Sequence, residues 1–446
     1  MEQSQDKLGT MPIGRLLLVM SVPNMISMFV QALYNMVDSM FVARLSEDAL
    51  TAVSLAFPMQ NIMGAIAVGT GVGVNALVSR SLGQGRRERA EKAANVQIFL
   101  SACYTMIFAF VGLFFSRAFY ARQTDVRSII EYGKDYMAIV CVLGVGGFYG
   151  QNFEKLLIAT GNSTLSMISQ ATGAVVNIVF DPLLIFGIGP FPALGVKGAA
   201  AATVFGQLVA AVLAYCFNLK YNKATRFHIG RILPDRETLL GIFSVGFPSM
   251  ITIGLGSVMS YAMNQIFLAF STTATAVFGI WLKMQSFGFM PVFGMNNGTI
   301  TIYSYNFGAR KYDRVRKTLR LALLVGLGVT SAVTALYVLL PAPMLRLFSA
   351  SEYMMEIGVP ALGICAASLP FGACCVVISS CFQALGRARY TLLTNMCRQL
   401  IIQVPAAWLL AMSGTLTAVW LAPLIAELGS MALALFLRRR VMKLLE

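Results

Sequence analysis

The amino-acid sequence predicts an all-α polytopic membrane protein, with about twelve transmembrane helices in two pseudo-symmetric six-helix bundles. Of its 446 residues, 57% are hydrophobic and 12% are charged, whereas soluble domains average about 25% charged residues. Several apolar runs approach or reach the ~20 residues that cross a bilayer. The chain also repeats its own pattern after 225 residues. These observations together exclude a soluble domain.

Alternating apolar and polar segments place the predicted spans. They are 14–43, 51–81, 92–117, 129–156, 163–188, 195–218, 239–270, 274–306, 317–340, 354–382, 390–412 and 416–437. The formal net charge of +15 is concentrated after spans 2, 6, 8, 10 and 12, in segments 80–92, 220–236, 310–320, 387–389 and 438–443. By the positive-inside rule, this predicts a multi-pass protein of the cytoplasmic membrane with both termini in the cytoplasm. The charge is therefore attributed to topology, and no nucleic-acid partner is expected.

The internal repeat predicts how the spans are grouped. The stretch from Gln60 to Lys92 aligns without a gap on the stretch from Gln285 to Lys317, and Pro23 falls on Pro248. The predicted units are an N-lobe at 11–218, a cytoplasmic linker at 219–238, a C-lobe at 239–437 and a basic cytoplasmic tail at 438–446. With an even number of spans in each lobe, the repeats are parallel, which is typical of secondary transporters with a substrate path between the lobes.

The sequence lacks the patterns that other functions require. The Gly-rich stretch 83–87 does not end in the Gly-Lys-Ser/Thr of a phosphate-binding loop, so transport would draw on an ion gradient or run downhill. The eight cysteines lie in apolar stretches without metal-ligand spacing, and His228 is the single histidine. No cofactor, structural metal or enzymatic activity is predicted.

Charged residues inside spans are costly in lipid and mark functional positions. Asp38, Asp181, Lys283 and Glu427 are of this kind. Asn177 precedes Asp181 by four residues, so both side chains leave the helix on one face and could hold a cation or a proton. The alternative is that these carboxylates cap polar defects or pair with a buried lysine.

Few cationic side chains are expected to line a substrate cavity in this protein. Glu154 and Lys155, near the cytoplasmic end of span 4, are compatible with long side chains that reach the interface. Lys283 is therefore the cavity cation that the sequence favours.

Four stretches resemble the multidrug and toxic compound extrusion (MATE) family. They are LYNMVDSMFV at 33–42, GVGVNALVSRSLGQG at 71–85, NIVFDPLLIFG at 177–187 with GVKGAA at 195–200, and YNFGAR at 305–310. The last stretch is similar to the bacterial branch that contains staphylococcal-type drug exporters. The resemblance covers nearly the whole chain.

The resemblance implies an ion-coupling site in the N-lobe. Asp38, Asn177 and Asp181 match the family positions that bind Na⁺ or H⁺, and Thr203 is the candidate for a span-6 threonine that joins them. No other metal site is implied. A C-lobe ion site is not expected, because Glu427 is its only nearby acid.

A drug path would run between the lobes. Met and aromatic side chains can repack around varied apolar cations, although many on span 8 would face lipid. The predicted lining residues are Gln31, Tyr34, Asn35, Lys283, Met284, Phe287, Met290 and Glu427.

The predicted function is an H⁺- or Na⁺-coupled antiporter that exports organic, cationic, amphipathic compounds by alternating access. The predicted partners are such small molecules and the lipid bilayer, and the protein is expected to be a monomer. The alternative is a flippase of lipid-linked precursors, which would share the two-lobe architecture but carry a markedly basic cavity.

Overall fold

A computed structural model of the chain describes residues 3–228, 230, 232–348 and 351–443. The regular elements in this part of the chain are helices. They are α1 (Gln3–Thr10), α2 (Ile13–Ala43), α3 (Glu47–Gly83), α4 (Arg87–Ala121), α5 (Arg127–Val142), α6 (Val145–Ala159), α7 (Ser163–Phe186), α8 (Val196–Tyr221), α9 (Arg236–Leu268), α10 (Thr272–Gly308), α11 (Tyr312–Leu339), α12 (Pro341–Arg346), α13 (Glu352–Ala366), α14 (Leu369–Ala384), α15 (Ala388–Met396), α16 (Gln403–Ala411), α17 (Leu416–Val419) and α18 (Ala422–Met442), with a π-helix at Cys397–Ile402. Residues 229 and 231 of the predicted linker and 444–446 of the predicted tail lie outside the described residues.

Nine helices among the described residues are long and apolar enough to cross a membrane, or ten if α13 and α14, bent by 43°, form one span. Two further predicted spans are divided. Segment 129–156 forms α5 and α6, and segment 390–412 is interrupted by the π-helix Cys397–Ile402. Pro405 has no amide hydrogen and crowds the carbonyl four residues before it, so the preceding turns widen. The predicted class, a helical polytopic membrane protein, is confirmed.

The repeat is visible in how equivalent helices begin. Ser46 precedes α3, and its hydroxyl accepts a 3.0 Å hydrogen bond from the amide of Ala49. Ser271, which lies 225 residues later, precedes α10 and accepts a 2.9 Å bond from the amide of Ala274. Each serine satisfies one of the amide groups that the first turn of a helix leaves unpaired.

The same offset relates two contacts deep inside the lobes. The Ser79 hydroxyl donates to the carbonyl of Ala159 over 3.0 Å and joins α3 to α6. The Ser304 hydroxyl donates to the carbonyl of Ala384 over 3.2 Å and joins α10 to α14. The lobes are therefore pseudo-symmetric at the level of single hydrogen bonds.

The lobes meet where two glycines let helices approach closely. A Cβ atom on Gly73 of α3 would lie 2.2 Å from the carbonyl oxygen of Ile242 on α9. A Cβ atom on Gly298 of α10 would lie 2.6 Å from the carbonyl oxygen of Met20 on α2. Small residues at such positions permit backbone-to-backbone packing in membrane helices. Both contacts lie toward the end of the molecule that carries the basic clusters, and they hold that end closed.

The segment between the lobes is bound to the N-lobe. The side chain of Asn95 on α4 donates to the carbonyl of Arg226 over 2.9 Å and accepts from the amide of His228 over 2.7 Å. At the start of the C-lobe, Glu237 forms a 3.0 Å ion pair with Arg89. These contacts attach the described residues on either side of the linker to α4 of the N-lobe.

The short helix α1 is bound to the opposite lobe. Arg314 on α11 donates a 2.7 Å hydrogen bond to the carbonyl of Met11, and Asn306 on α10 donates a 3.0 Å bond to the carbonyl of Leu8. Leu8 is completely buried. The N-terminal segment therefore crosses to the C-lobe before α2 enters the N-lobe.

Candidate functional site

Two carboxyl groups from different helices meet inside the N-lobe. Asp38 lies on α2 and Asp181 on α7, and their carboxyl groups lie close enough to interact directly. Asp181 has no exposed surface. Two ionised carboxylates close to each other repel, so a carboxyl pair of this kind favours a bound proton or cation.

Asn177 and Thr203 complete the polar cluster around the carboxyl pair. The side-chain amide of Asn177 donates to Asp181 Oδ1 over 3.3 Å and to Thr203 Oγ1 over 3.4 Å. The contact with Thr203 is possible because α7 and α8 approach closely at Gly173 and Gly206, where a Cβ on either would lie within 2.7 Å of the other's carbonyl oxygen. The structure thus brings together the four residues that the sequence assigned to ion coupling.

Three oxygen atoms of this cluster lack hydrogen-bond donors. They are Asp38 Oδ1, Asp181 Oδ2 and Asn177 Oδ1, and all are buried. Buried polar atoms without partners are rare in proteins and call for an explanation. Oxygen atoms of carboxylates and amides are ligands of hard cations, and a proton shared between carboxyl groups would also satisfy two of them.

A cavity of about 620 Å³ borders this cluster and is called here the first chamber. Asp38, Asn177 and Thr203 lie in its wall, whereas Asp181 lies behind them. Among the described residues of the wall, the charged ones are Asp38 and Glu154, both acidic. The first chamber extends to Ser39 and Leu50, on either side of the connection between α2 and α3. It therefore reaches toward the end of the molecule opposite the basic clusters.

Three predicted path residues line the first chamber. Gln31, Tyr34 and Asn35 are in its wall. Aromatic and sulfur-containing side chains, including Phe57 and Met63, contribute the apolar part of the wall. Such a wall is suited to an apolar molecule with a positive charge.

A second chamber of about 450 Å³ lies between the lobes and shares Gln31, Gln151, Glu154 and Gln170 with the first. Its wall differs in charge, because Lys155 and Arg398 join Glu154 there. Most of its other polar residues carry amides. The amide side chains in the wall are Asn24, Gln31, Gln151, Gln170, Asn296, Asn297, Gln383, Asn395 and Gln399.

The remaining predicted path residues are outside both chambers. Lys283 is exposed, with its ammonium group 6.0 Å from the centre of the Phe348 ring, and Phe287 is 50% exposed. Met284 is buried in the C-lobe core, and Met290 is half-buried. Spacings of three and four residues place Lys283, Phe287 and Met290 on one helix face.

The part of α10 that lines the second chamber lies after Pro291. Phe293, Asn296, Asn297 and Ile300 of this part lie in the wall. The sequence predicted the correct helix for the path, but the selected residues lie before Pro291, outside the part of the helix that borders the cavity.

Glu427 also lies outside the chamber walls. It is buried, and its carboxylate contacts Arg398 Nη1 over 3.5 Å. Arg398 is not among the residues predicted from the sequence, although an arginine inside the apolar segment 390–412 is a visible signal.

Lys155 corrects a second expectation. Its side chain and that of Glu154 do not extend to the interface, because both residues are buried. Lys155 Nζ donates a 2.7 Å hydrogen bond to Asn297 Oδ1 of the other lobe. The cavity cations are therefore Lys155 and Arg398 instead of Lys283.

Comparison with known proteins agrees with this architecture. The MatE family model matches residues 23–183 and again residues 248–409, one match in each lobe. The FAD transporter of Shewanella oneidensis is 27% identical over 406 residues, which cover 89% of this chain and 88% of that protein. The multidrug export protein MepA of Staphylococcus haemolyticus is 24% identical over 419 residues, which cover 94% of this chain and 91% of that protein.

A solved structure has the same fold. It is described as the outward-facing conformation of a multidrug resistance MATE family transporter of the MOP superfamily, and it matches with a TM-score of 0.91 at 24% identity over 98% of each chain. The family model covers both lobes and more than half of the chain. The protein is thus a multi-pass membrane transporter of small molecules, not an enzyme, and it belongs to the MATE family.

Proposed function

We propose that the protein is an antiporter that exports organic cations in exchange for a proton or a sodium ion. The observation that carries this proposal is the contact between Asp38 and Asp181 beside the first chamber. This site can be negative or neutral, depending on whether an ion is bound. A cationic substrate is attracted to the negative state and released from the neutral one.

The coupling follows from competition for the same negative charge. When the carboxyl pair is ionised, the first chamber has acidic groups in its wall without a basic one, and it favours a cation. When a proton or Na⁺ enters between Asp38 and Asp181, the repulsion between them ends and α2 can pack more closely against α7. Asn177 and Thr203 supply further oxygen atoms beside the ion.

The direction of transport is proposed from the charge distribution. The basic clusters assign the closed end to the cytoplasm of a bacterial cell. In that orientation the first chamber faces outward, where substrate leaves and the ion enters. Both termini are then cytoplasmic. The protein is proposed to act as a monomer, since one chain supplies both lobes.

The test uses purified protein in proteoliposomes, with ethidium as the transported cation. A pH gradient and a Na⁺ gradient are imposed in separate experiments, and one of them is expected to drive ethidium movement. Asp38→Asn is expected to abolish this movement. Asp125→Asn, at an exposed position outside the site, is the matched control and should transport normally. Normal transport by Asp38→Asn would refute the coupling role of the carboxyl pair.

A further inference from the structure

We propose that the second chamber is a binding site for an oxyanion, with Arg398 as the group that anchors it. The substrates of the protein would then include zwitterions, in which a carboxylate accompanies a cationic aromatic body. This inference rests on the proposed export function and names a substrate class for it. The second chamber has two basic residues in its wall, Lys155 and Arg398, beside the acidic Glu154, whereas the described wall of the first chamber has acidic residues without a basic one.

Arg398 is held in a way that leaves most of its hydrogen-bonding capacity unused. An arginine has five N–H donors, yet the contact observed for Arg398 is with Glu427 over 3.5 Å, and its Nε has no partner. The side chain is only 14% exposed. A buried ion pair with one long contact is a poor stabiliser, because desolvation of both ions costs more than the contact returns.

Glu427 is the internal counter-ion of Arg398. Its Oε2 atom also lacks a partner, and the residue lies behind the wall of the second chamber instead of in it. An incoming carboxylate could therefore approach Arg398 from the chamber side while Glu427 remains behind. Planar guanidinium groups bind carboxylates through two parallel hydrogen bonds, which a ligand of this kind can form.

The local backbone supports a functional position. Arg398 and Gln399 lie in the π-helix Cys397–Ile402. Such turns are rare and frequently occur at functional sites, since the widened turn shifts side chains out of the regular helical register.

Neighbouring groups can complete the site. Asn296, Ser379 and Gln399 lie in the same wall, and each has a buried side-chain oxygen without a hydrogen-bond partner. The hydroxyl of Ser379 and the amide nitrogens of Asn296 and Gln399 can donate to oxygen atoms of a ligand. Lys155 adds a second positive charge, although it already donates to Asn297.

The shared wall explains why one molecule could use both chambers. Gln31, Gln151, Glu154 and Gln170 border both cavities. A zwitterion could place its cationic body against the acidic first chamber and its carboxylate against Arg398. A simple organic cation would occupy the first chamber alone.

Two dyes that differ in one group provide the test. Rhodamine 123 is a methyl ester and a cation, whereas rhodamine 110 has the free carboxylate and is a zwitterion. Fluorescence anisotropy measures the equilibrium binding of each dye to the full-length protein in neutral detergent. Arg398→Gln is expected to weaken rhodamine 110 binding at least about tenfold and to leave rhodamine 123 binding unchanged.

A second variant separates binding from structural support. Glu427→Gln removes the counter-ion that competes for Arg398, so it should tighten rhodamine 110 binding without tightening rhodamine 123 binding. A purely structural ion pair would give weaker binding or no change. Lys283→Gln, at an exposed position outside both chambers, is the matched control for loss of a positive charge.

The outcomes are distinguishable from those that test the antiporter itself. The anion site is refuted if rhodamine 110 affinity is the same in wild type and Glu427→Gln, or if a substitution changes the affinities of both dyes equally. Where Arg398→Gln does not fold, the Glu427→Gln result alone decides this. Failure of either ion gradient to drive rhodamine 123 transport would instead refute the antiporter, while the binding results would still decide the anion site.

Discussion

Lys155 Nζ on α6 donates a 2.7 Å hydrogen bond to Asn297 Oδ1 on α10, and this contact joins the two lobes beside the second chamber. Asn297→Ala would leave the buried ammonium group without this acceptor. We expect the variant to lose about 1–3 kcal/mol of stability, which is typical for a buried polar group left unpaired. Thermal unfolding in detergent measures the loss. Asn297→Asp, which keeps an acceptor, should unfold near the wild-type temperature, and an equal loss in both variants would contradict this role of the bond.

The close helix contacts at Gly73 and Gly298 predict that a side chain at either position would open the closed end of the molecule. Gly298→Ala places a methyl group where the carbonyl of Met20 now lies within 2.6 Å, so α2 and α10 must separate. Hydrogen exchange of both helices near this contact should become faster. Gly73→Ala should have the equivalent effect on α3 and α9. Gly328→Ala is the control, because open space surrounds its Cβ position, and exchange that rises equally in all three variants would argue against lobe separation.

Much of the architecture was predictable because it follows from periodicity and duplication. The 225-residue offset relates Ser79 to Ser304, and each forms the same inter-helix hydrogen bond. The carboxylates Asp38 and Asp181 stood out as charges in apolar segments, and the structure places them together. Such residues are recognisable in a sequence because a charged side chain in lipid is costly on any face of a helix.

The lining of the path was less predictable, since it depends on which part of each helix borders a cavity. On α10 the sequence offers apolar residues on every face, and hydropathy alone does not distinguish a face that borders a cavity from one that borders lipid. Phe287 and Phe293 are similar by composition, yet only Phe293 lies in a chamber wall. Lys155 appeared to be an interfacial residue because its acceptor, Asn297, is 142 residues away in the sequence.

Thr203 provides a test of the ion site that leaves both carboxylates in place. Thr203→Val removes the hydroxyl that Asn177 contacts over 3.4 Å, while it keeps the side-chain shape. We expect the ion concentration for half-maximal transport to rise by about 5–10-fold, as for the loss of one hydrogen-bonding partner of roughly 1 kcal/mol, with little change in maximal rate. Transport as a function of ion concentration in proteoliposomes measures this.

The control for Thr203 is Thr172→Val on α7. The Thr172 hydroxyl donates to the carbonyl of Ile168 in its own helix over 2.8 Å and lies outside the ion site. It should leave the ion dependence unchanged. A wild-type ion dependence in Thr203→Val would remove Thr203 from the coupling site.

The N-terminal helix gives a further prediction. Arg314 donates to the carbonyls of Met11 over 2.7 Å and Leu8 over 3.2 Å. Arg314→Ala should release α1 from the C-lobe and make the segment around Lys7 sensitive to trypsin. Cleavage followed by mass spectrometry measures the release. Arg320→Ala, at an exposed position on the same helix, should remain resistant, and equal resistance of both variants would show that α1 is held by other contacts.

The two glycine contacts are reciprocal, since α3 of the first lobe meets α9 of the second and α10 of the second meets α2 of the first. An interface in which both partners contribute the same surface patch is self-complementary, so two identical halves can form it completely. A polypeptide of half this length could therefore have formed the same assembly as a homodimer. In a homodimer of this kind any acidic residue would occur in both subunits, so Asp38 and Asp181 in one half and Arg398 in the other require two separately encoded halves.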